Sequence, residues 1–351
     1  MRLEWGDVLM LQSNTASKMV KPTDDPQEIY LMDHPDSTEQ IPTIDIGPYL
    51  AGDGSAIPGI ASALREVTET IGFFYLAGHG VPQEMCDGMF AAGKRFFALP
   101  IEEKRRIPRV DNTGYVEMKD PEQNGNQYLI KKSLPPLNES FIINRERTPD
   151  DPDVIAKKMF CSLNTWPRDL PGFRETLLAY HSAIEALGKK FLPLWAASLD
   201  LPLDYFDRYF GIPHCNLRLA HYPPQSEIGN GQYGSLPHTD NCMMTFLAQA
   251  NVPGLAVRMP SGHWRTVDLV PGTLLVNTGN LMLRWTNGRY LSTKHRVINQ
   301  AGVDRYSFPV FFGPSFDSLI ECLPTCCGAD NPPQFEPITY ENLRRWYYGF
   351  Y

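Results

Sequence analysis

Residues 238–249 of this chain read His-Thr-Asp-Asn-Cys-Met-Met-Thr-Phe-Leu-Ala-Gln, a short polar motif followed by an apolar run. The run is typical of a short buried strand, and the chain after Pro213 repeats such segments, separated by turn residues such as Pro253-Gly254. The predicted strands are Asn216–Tyr222, Met243–Gln249, Leu255–Arg258, Thr273–Asn277, His295–Ile298 and Ser307–Phe312. Many short strands with glycine-rich turns predict a jelly roll, that is, a double-stranded β-helix of the cupin-like kind.

The polar motif carries residue types that bind metal ions. His238 and Asp240 are two positions apart, and on a strand such residues point to the same side. A distant segment, His295-Arg296-Val297, offers a second imidazole. Two imidazoles and one carboxylate suit ferrous iron and leave coordination positions open for oxygen chemistry, whereas thiolates would favour zinc or an iron–sulfur cluster.

A third motif, Arg305-Tyr306-Ser307, follows on the carboxyl side of His295. The guanidinium and the hydroxyl, again two positions apart, would share one face of a strand. Arginine presents a planar, permanently charged fork that binds a carboxylate with two parallel hydrogen bonds. One such fork beside an open iron site meets the needs of a dicarboxylic co-substrate such as 2-oxoglutarate.

Shorter motifs occur in the rest of the chain. They are Ile41-Pro-Thr-Ile-Asp-Ile46, Ile71-Gly-Phe-Phe-Tyr75, Gly78-His-Gly-Val81, Phe96-Phe97-Ala-Leu-Pro100 with Glu102-Glu-Lys104, Glu139-Ser-Phe141 and Leu219-Ala-His-Tyr-Pro223. Together with the metal and arginine motifs, and in this order, they resemble the plant- and fungal-type 2-oxoglutarate/Fe(II) dioxygenase family that includes isopenicillin N synthase. The likeness covers roughly Ile41 to Phe316.

The resemblance implies a mainly β fold with flanking helices: a jelly-roll core, amino-terminal helices and one long supporting helix. It implies that His238, Asp240 and His295 bind Fe(II), and that Arg305, Ser307 and Tyr222 bind 2-oxoglutarate. With O2 as oxidant, the expected reaction couples oxidative decarboxylation of 2-oxoglutarate to hydroxylation of a small metabolite. Desaturation and ring closure are variants, and secondary metabolism is one setting. No catalytic residue beyond the metal ligands is expected.

Some positions depart from the family pattern. Many members have a glycine two positions after the aspartate, where this chain has Cys242, and often an asparagine where it has Ala220. Two other functions stay open. An oxidase of the isopenicillin N synthase kind would use the Arg-x-Ser pair for its substrate's carboxylate, and a non-catalytic protein would keep the fold as a ligand receptor.

The substrate pocket is the least constrained part of the prediction. Its candidate lining residues are Phe141, Asn216, Arg218, Asn241, Met243, Phe246, Arg284, Phe312 and Phe316. Even spacing places Asn216 and Arg218 on the strand face of Tyr222, where they could meet a polar or anionic substrate group. The other histidines, among them His181 and His221, are expected to be structural.

The chain divides into five predicted regions: an amino-terminal arm (1–40), an amino-terminal dioxygenase region (41–165), a long helix with its connector (166–212), the jelly-roll iron and 2-oxoglutarate domain (213–318) and a carboxy-terminal segment (319–351). Apolar residues at Ile60, Leu64, Val67 and Ile71 predict an amphipathic helix. A second helix starts near Pro82, and long loops are expected at 108–153. The longest helix spans about 171–199, with Pro193 kinking or interrupting it.

Bulk properties exclude several classes of protein. The 351 residues carry a formal charge of −8, which argues against a nucleic-acid binder. No apolar run of about 18 residues is present, so no membrane span is expected. The seven cysteines are irregularly spaced, and the start lacks a secretory pattern, which favours reduced thiols in the cytoplasm. Cys322, Cys326 and Cys327 are expected to be loop thiols rather than a second metal site. The partner is a small-molecule substrate, and the protein is expected to be a monomer or weak homo-oligomer.

Overall fold

A computed structural model describes residues 39–118, 136–225, 232–249 and 251–348. The predicted arm, residues 1–40, lies outside these ranges except for its last two positions. The strands are β1 Thr43–Asp45, β2 Phe73–Ala77, β3 Gly114–Val116, β4 Glu139–Ile143, β5 His214–Tyr222, β6 Ser235–His238, β7 Met244–Ala248, β8 Leu255–Arg258, β9 Trp264–Thr266, β10 Leu274–Thr278, β11 His295–Val297, β12 Arg305–Gly313, β13 Leu319–Ile320 and β14 Ile338–Thr339. The α-helices are α1 Gly47–Leu50, α2 Ile57–Thr70, α3 Gln83–Phe97, α4 Ile101–Arg105, α5 Pro152–Ile155, α6 Phe173–Ser198, α7 Asn280–Trp285 and α8 Tyr340–Tyr347.

Two sheets form the centre of the molecule. The large sheet has the order β1-β2-β10-β7-β12-β5-β4-β3, and the small sheet has the order β6-β11-β8-β9. Neighbouring strands pair antiparallel except β1 and β2, which are parallel. Strands β13 and β14 form a separate two-stranded sheet near the carboxyl end.

The apolar core is divided by the large sheet. One cluster holds residues from both sheets, including Tyr222 and Leu247 from the large sheet and Val257 and Val297 from the small one, so the two sheets pack face to face. A larger cluster lies between the outer face of the large sheet and the helices α2, α3 and α6. Sheet-on-sheet packing with helices outside confirms the predicted jelly roll.

Helix α6 supports the large sheet from outside. Its buried stripe includes Leu177, Ile184 and Phe191, and the backbone at Gly188 lies close enough to Phe312 that a Cβ there would stand 2.7 Å from the ring. Pro193 lies inside the helix, so the prediction that it interrupts the helix is wrong. The missing N–H costs one backbone hydrogen bond, and the buried residues on both sides of the proline hold the helix together.

Other predictions differ from the structure in detail. Pro82 is the residue before α3 rather than its first residue. The segment 108–153, expected to be loops, contains β3 and β4, which extend the large sheet beyond β5. Both are short, which hides them among the surrounding prolines and polar residues. Among the described helices, none is long and apolar enough to cross a bilayer.

Candidate active site

Three side chains from two neighbouring strands converge at one end of the small sheet. His238 is the last residue of β6 and pairs directly with His295, the first residue of β11. Asp240 Oδ1 lies 3.9 Å from His238 Nε2 and 3.7 Å from His295 Nε2. One ligand atom from each residue lies within 4.8 Å of the others, a spacing at which they can hold a metal ion. Asp240 follows β6 instead of lying on it. The prediction that His238 and Asp240 lie close together is therefore correct, although it assumed that both residues lie on a strand.

Hydrogen bonds orient all three side chains. Thr245 Oγ1 and Asn277 Nδ2 donate to Asp240 Oδ2, at 2.6 and 2.8 Å, which leaves Oδ1 facing the imidazoles. His238 Nδ1 donates to the Leu236 carbonyl at 2.6 Å, and His295 Nδ1 donates to the Thr293 carbonyl at 3.2 Å. Both rings therefore present an unprotonated Nε2, the arrangement that metal-binding histidines require.

Burial and neighbouring groups shift the pKa values of His238 and Asp240 towards their metal-binding forms. Burial and the nearby His295 lower the pKa of His238 to about 4. Burial raises the pKa of Asp240, but the two imidazoles and the bonds from Asn277 and Thr245 outweigh it, and the net pKa lies below the usual value. An ionised Asp240 carboxylate and a neutral His238 imidazole at neutral pH suit Fe(II).

The site is open on one side. The side chain of His238 is 31% exposed, whereas those of Asp240 and His295 are 5% and 11% exposed. Phe73 covers the other side of His295 with an edge-to-face contact of 5.4 Å between ring centroids. A ligand can therefore approach the metal position past His238.

Arg305, Ser307 and Tyr222 lie together on the inner face of the large sheet. Arg305 pairs with Tyr222 across β12 and β5, and its guanidinium carbon lies 5.1 Å from the centre of the tyrosine ring. Arg305 and Ser307 are both buried, at 5% and 6% exposure. Gly254 allows this packing, because a Cβ there would lie 3.2 Å from Arg305 Cδ.

The guanidinium of Arg305 has donors to spare. Its Nε and Nη1 are buried without a hydrogen-bond partner, and no carboxylate pairs with it among the residues that the structure describes. A buried cation left in this way is costly unless an anion completes it. The donor set fits the distal carboxylate of 2-oxoglutarate.

Sequence reasoning missed the residues that orient the metal ligands. Thr245 and Asn277 are polar residues at the inner face of otherwise apolar strands, and that exception to the pattern is the signal that could have identified them. Asn280, at the start of α7, donates to Thr239 Oγ1 and Asn241 Oδ1, at 3.1 and 2.8 Å, and so braces the loop around Asp240.

Four of the predicted pocket residues lie in the cluster between the large sheet and the helices: Phe141, Met243, Phe246 and Phe312. The ring of Phe246 packs 6.5 Å from that of Phe191, and the ring of Phe312 stacks 5.2 Å from that of Phe210. These aromatic residues belong to the core and not to the interior that holds the iron site. The error is one of strand alternation, since a shift of one residue moves a side chain to the opposite face.

The other five candidates have varied surroundings. Asn216 and Arg218 alternate with the outward residues Leu217 and Leu219 of β5 and therefore face the interior. Asn216 donates to Asn144 Oδ1 at 2.7 Å. Asn241 lies beside the metal ligands. Two others contact the carboxy-terminal segment: Arg284, which donates to the Glu336 carbonyl, and Phe316, which stacks on Tyr340.

A second group of potential metal ligands, His181, Glu185 and Cys215, has a structural explanation. His181 Nε2 donates to the Cys215 carbonyl at 2.9 Å, and Glu185 pairs with Arg145 at 2.6 Å. This joins α6 to β5, as expected for a structural histidine. Cys322, Cys326 and Cys327 do not form such a group with other described residues.

Two imidazoles and one carboxylate inside a jelly roll, with a buried arginine on the facing sheet, define a non-haem iron oxygenase site. Comparison with known families agrees: residues 41–169 match the amino-terminal domain of non-haem dioxygenases in morphine synthesis, and residues 213–314 match the 2OG-Fe(II) oxygenase superfamily. The chain belongs to the 2-oxoglutarate/Fe(II)-dependent oxygenases, in the isopenicillin N synthase-like group. It is an oxidoreductase that uses Fe(II), 2-oxoglutarate and O2.

Individual relatives carry the same description. The chain is 38% identical over 316 residues to the 2-oxoglutarate-Fe(II) type oxidoreductase hxnY of Emericella nidulans, with 88% of this chain and 89% of the relative covered. It is 37% identical to the 2-oxoglutarate-dependent dioxygenase citB of Monascus ruber, over 80% of this chain and 87% of the relative. A full-length Neurospora crassa protein, solved in complex with α-ketoglutarate and thymine, superposes with a TM-score of 0.77 at 29% identity, covering 89% of this chain and 97% of that one. These similarities favour a 2-oxoglutarate-dependent dioxygenase over the oxidase and the non-catalytic alternatives.

Proposed function

We propose that His238, Asp240 and His295 hold Fe(II), and that Arg305, Ser307 and Tyr222 hold the far carboxylate of 2-oxoglutarate. The observation that carries the proposal is the pairing of three convergent metal-binding atoms with a buried guanidinium that has unused donors. Both lie in the interior between the two sheets. Neither group has a structural role that would explain its cost to folding.

Bound iron, with 2-oxoglutarate and O2, supplies the oxidation, which yields succinate, CO2 and a hydroxylated, desaturated or ring-closed product. The protein has to hold the co-substrate and orient the substrate. Arg305 contributes charge and two directional donors, and Tyr222 covers one face of the guanidinium. The apolar residues between the sheets, such as Leu247 and Val257, exclude water from the co-substrate.

Substrate contacts are assigned to the residues that face the interior. Asn216, Arg218 and Asn241 have this position, and Phe311, which alternates with the outward Phe312 on β12, joins them. The substrate is a small molecule, and a role in secondary metabolism is part of the proposal. We further place the enzyme in the cytoplasm, because its seven cysteines are free thiols. A monomer or weak homo-oligomer is also part of the proposal.

Anaerobic titration with Fe(II) and then 2-oxoglutarate tests the proposal. The purified protein is expected to develop the weak visible charge-transfer band of the iron–2-oxoglutarate complex and, on admission of air, to form succinate. Asp240→Ala should abolish both, whereas Asp169→Ala, which removes an exposed carboxylate, should retain both. A wild-type protein with no band, or an Asp240→Ala variant that keeps it, would contradict the assignment.

A further inference from the structure

A second arginine faces the interior without an anionic partner. Arg218 lies on β5, on the same face as Tyr222 and opposite to the buried Leu217 and Leu219. Its Nη2 donates to Asn138 Oδ1 at 3.0 Å, while its Nε is buried and unbonded. Asn138 Nδ2 in turn donates to the carbonyl of Gly234, the residue before β6, so Arg218 faces the strand that ends at His238.

The carboxy-terminal helix α8 brings a third arginine to the same region. Arg344 is 4% exposed, and its Nη2 donates to the Tyr348 hydroxyl at 3.1 Å. Its guanidinium carbon lies 5.0 Å from the ring centre of Tyr348 and 5.2 Å from that of Phe160, so two aromatic rings pack against the cation. The Phe160 carbonyl accepts a hydrogen bond from Asn144, whose Oδ1 accepts one from Asn216, two positions before Arg218 on β5. These contacts connect Arg344 to the strand face that carries Arg218.

The charges of these two arginines are not balanced within the described part of the chain. Neither forms an ion pair there, and the Nε of each is buried without a partner. The buried Lys104 shows the contrast, since its ammonium bonds Glu139 at 2.8 Å. Two buried cations that no described carboxylate pairs with leave an excess of positive charge that an anionic ligand would neutralise.

The co-substrate does not supply that anion. Arg305, on β12, already accounts for the distal carboxylate of 2-oxoglutarate, and its keto-acid end belongs at the metal. This leaves the molecule that is oxidised as the source of the anion that we consider for Arg218.

We propose that the substrate is a carboxylic acid whose carboxylate binds Arg218, with Arg344 as the second cation that positions and balances it. This rests on the function proposed above and names its substrate class. The guanidinium fork of Arg218 matches a carboxylate better than a neutral amide, because a carboxylate accepts two parallel hydrogen bonds and neutralises the charge. Helix α8 thus forms part of the substrate site, and Arg344 acts as a positioning residue through Tyr348.

The test uses matched pairs of acids and amides with the iron-loaded, full-length enzyme. Benzoate, cinnamate and indole-3-acetate are each compared with the corresponding carboxamide, and succinate formation above the substrate-free rate is measured. At least one acid is expected to stimulate turnover, with kcat/KM about 10- to 100-fold above that of its amide, the range of a hydrogen-bonded charge. The proposal is overturned if the amides stimulate succinate formation to the same extent as the acids, or if none of the three acids stimulates it.

Variants distinguish a specific role of Arg218 from a general loss of folding or activity. Arg218→Gln should bring the acid down to the level of its amide, and Arg218→Lys should restore part of the difference. Arg265→Gln, which removes an arginine paired with Asp268 on the small sheet, should leave the preference for the acid intact. For Arg344→Gln we expect a higher KM for the acid with little change in kcat, and partial rescue in Arg344→Lys. An unchanged acid-to-amide ratio in Arg218→Gln contradicts the assignment.

The outcome is distinguishable from failure of the underlying function. If the wild-type enzyme does not bind 2-oxoglutarate at its iron, the proposed function itself is wrong. If it binds 2-oxoglutarate and forms succinate but shows no preference for acids, only the substrate class is wrong. The increase in Tm on adding Fe(II) and 2-oxoglutarate, measured for each variant, shows whether it is folded.

Discussion

Thr245 Oγ1 lies 2.6 Å from Asp240 Oδ2 and donates a hydrogen bond to it. The bond occupies one carboxylate oxygen and so directs the other, Oδ1, towards the two imidazoles. Thr245 lies on β7 of the large sheet, whereas His238 and His295 lie on the small sheet. The metal site is therefore held in place by both sheets, although its histidines come from one.

Removing the Thr245 hydroxyl should weaken metal binding. Thr245→Val keeps the shape of the side chain but frees Asp240 Oδ2, and we expect Fe(II) affinity to fall about 10- to 100-fold. Anaerobic titration calorimetry measures this directly. Thr70→Val, which removes an exposed helix hydroxyl, is the matched control. Equal affinities for wild type and Thr245→Val would show that the bond has no orienting role.

Arg305 should determine the affinity for 2-oxoglutarate. Arg305→Gln removes the charge that faces the distal carboxylate, and loss of one partner of a buried charge pair costs about 2–5 kcal/mol. The dissociation constant for 2-oxoglutarate, read from the visible band, should rise at least tenfold, while Fe(II) affinity changes little. Arg174→Gln, at an arginine that is paired with Glu146 on the surface, should behave as wild type. A variant that binds 2-oxoglutarate normally would refute the clamp.

Neighbouring phenylalanines on β12 should differ in their effect on stability. Phe312 is fully buried between the large sheet and the helices, whereas Phe311 is partly exposed on the interior face. Phe312→Ala should lower the free energy of unfolding by about 3–5 kcal/mol through the cavity it leaves. Phe311→Ala should cost less and act mainly on substrate KM. Urea denaturation of both variants measures the two losses of unfolding free energy. A larger loss in Phe311→Ala than in Phe312→Ala would contradict the assignment of Phe312 to the core face and Phe311 to the interior face.

His221 should make stability depend on pH. Its Nδ1 lies 2.9 Å from Glu139 Oε1 and its Nε2 lies 2.9 Å from Asp304 Oδ1. Burial lowers the pKa of His221, but the two carboxylates outweigh it and the net pKa is raised. A raised pKa means that the protonated ring stabilises the fold fully below the unfolded value of about 6.5, and that this contribution is lost as pH rises through the folded value.

The measurement compares Tm with pH for wild type and His221→Gln. The difference between them should be largest below about pH 6.5 and should shrink as pH rises above it. A wild-type advantage that grows with increasing pH would contradict the raised pKa.

Strand pattern and motif spacing together predicted much of the fold and the site. The strands His295–Ile298 and Ser307–Phe312 were expected from short apolar segments between turn residues, and β11 and β12 are present there, whereas β6, which ends at His238, was not among the predicted strands. The metal ligands and Arg305 could be recognised because the amino-acid type alone defines the chemistry of each side chain. A histidine, an aspartate or an arginine at a fixed spacing restricts the possible functions before any coordinates are known.

The face of the strand on which each side chain lies was harder to predict from the sequence. Phe246 and Phe312 were candidates for the pocket lining, yet they pack outward against α6 and Phe210, while Thr245 and Phe311 face the interior. In a strand that is buried on both faces the apolar pattern is continuous, so alternation does not identify the inner face. Glu139 and His221 likewise meet because β4 pairs with β5, and Lys104 reaches Glu139 from α4.

The sequence by itself predicted the jelly roll, the set His238, Asp240 and His295, and Arg305 as the candidate for the co-substrate, since local pattern and residue chemistry suffice for these. The tertiary structure alone decided which face of each strand is inward, that Thr245 and Asn277 orient Asp240, and that Arg344 of α8 packs against Phe160. The physical reason is that these relationships join residues far apart in the chain. Only the packing of both sheets and the carboxy-terminal helix brings them into contact.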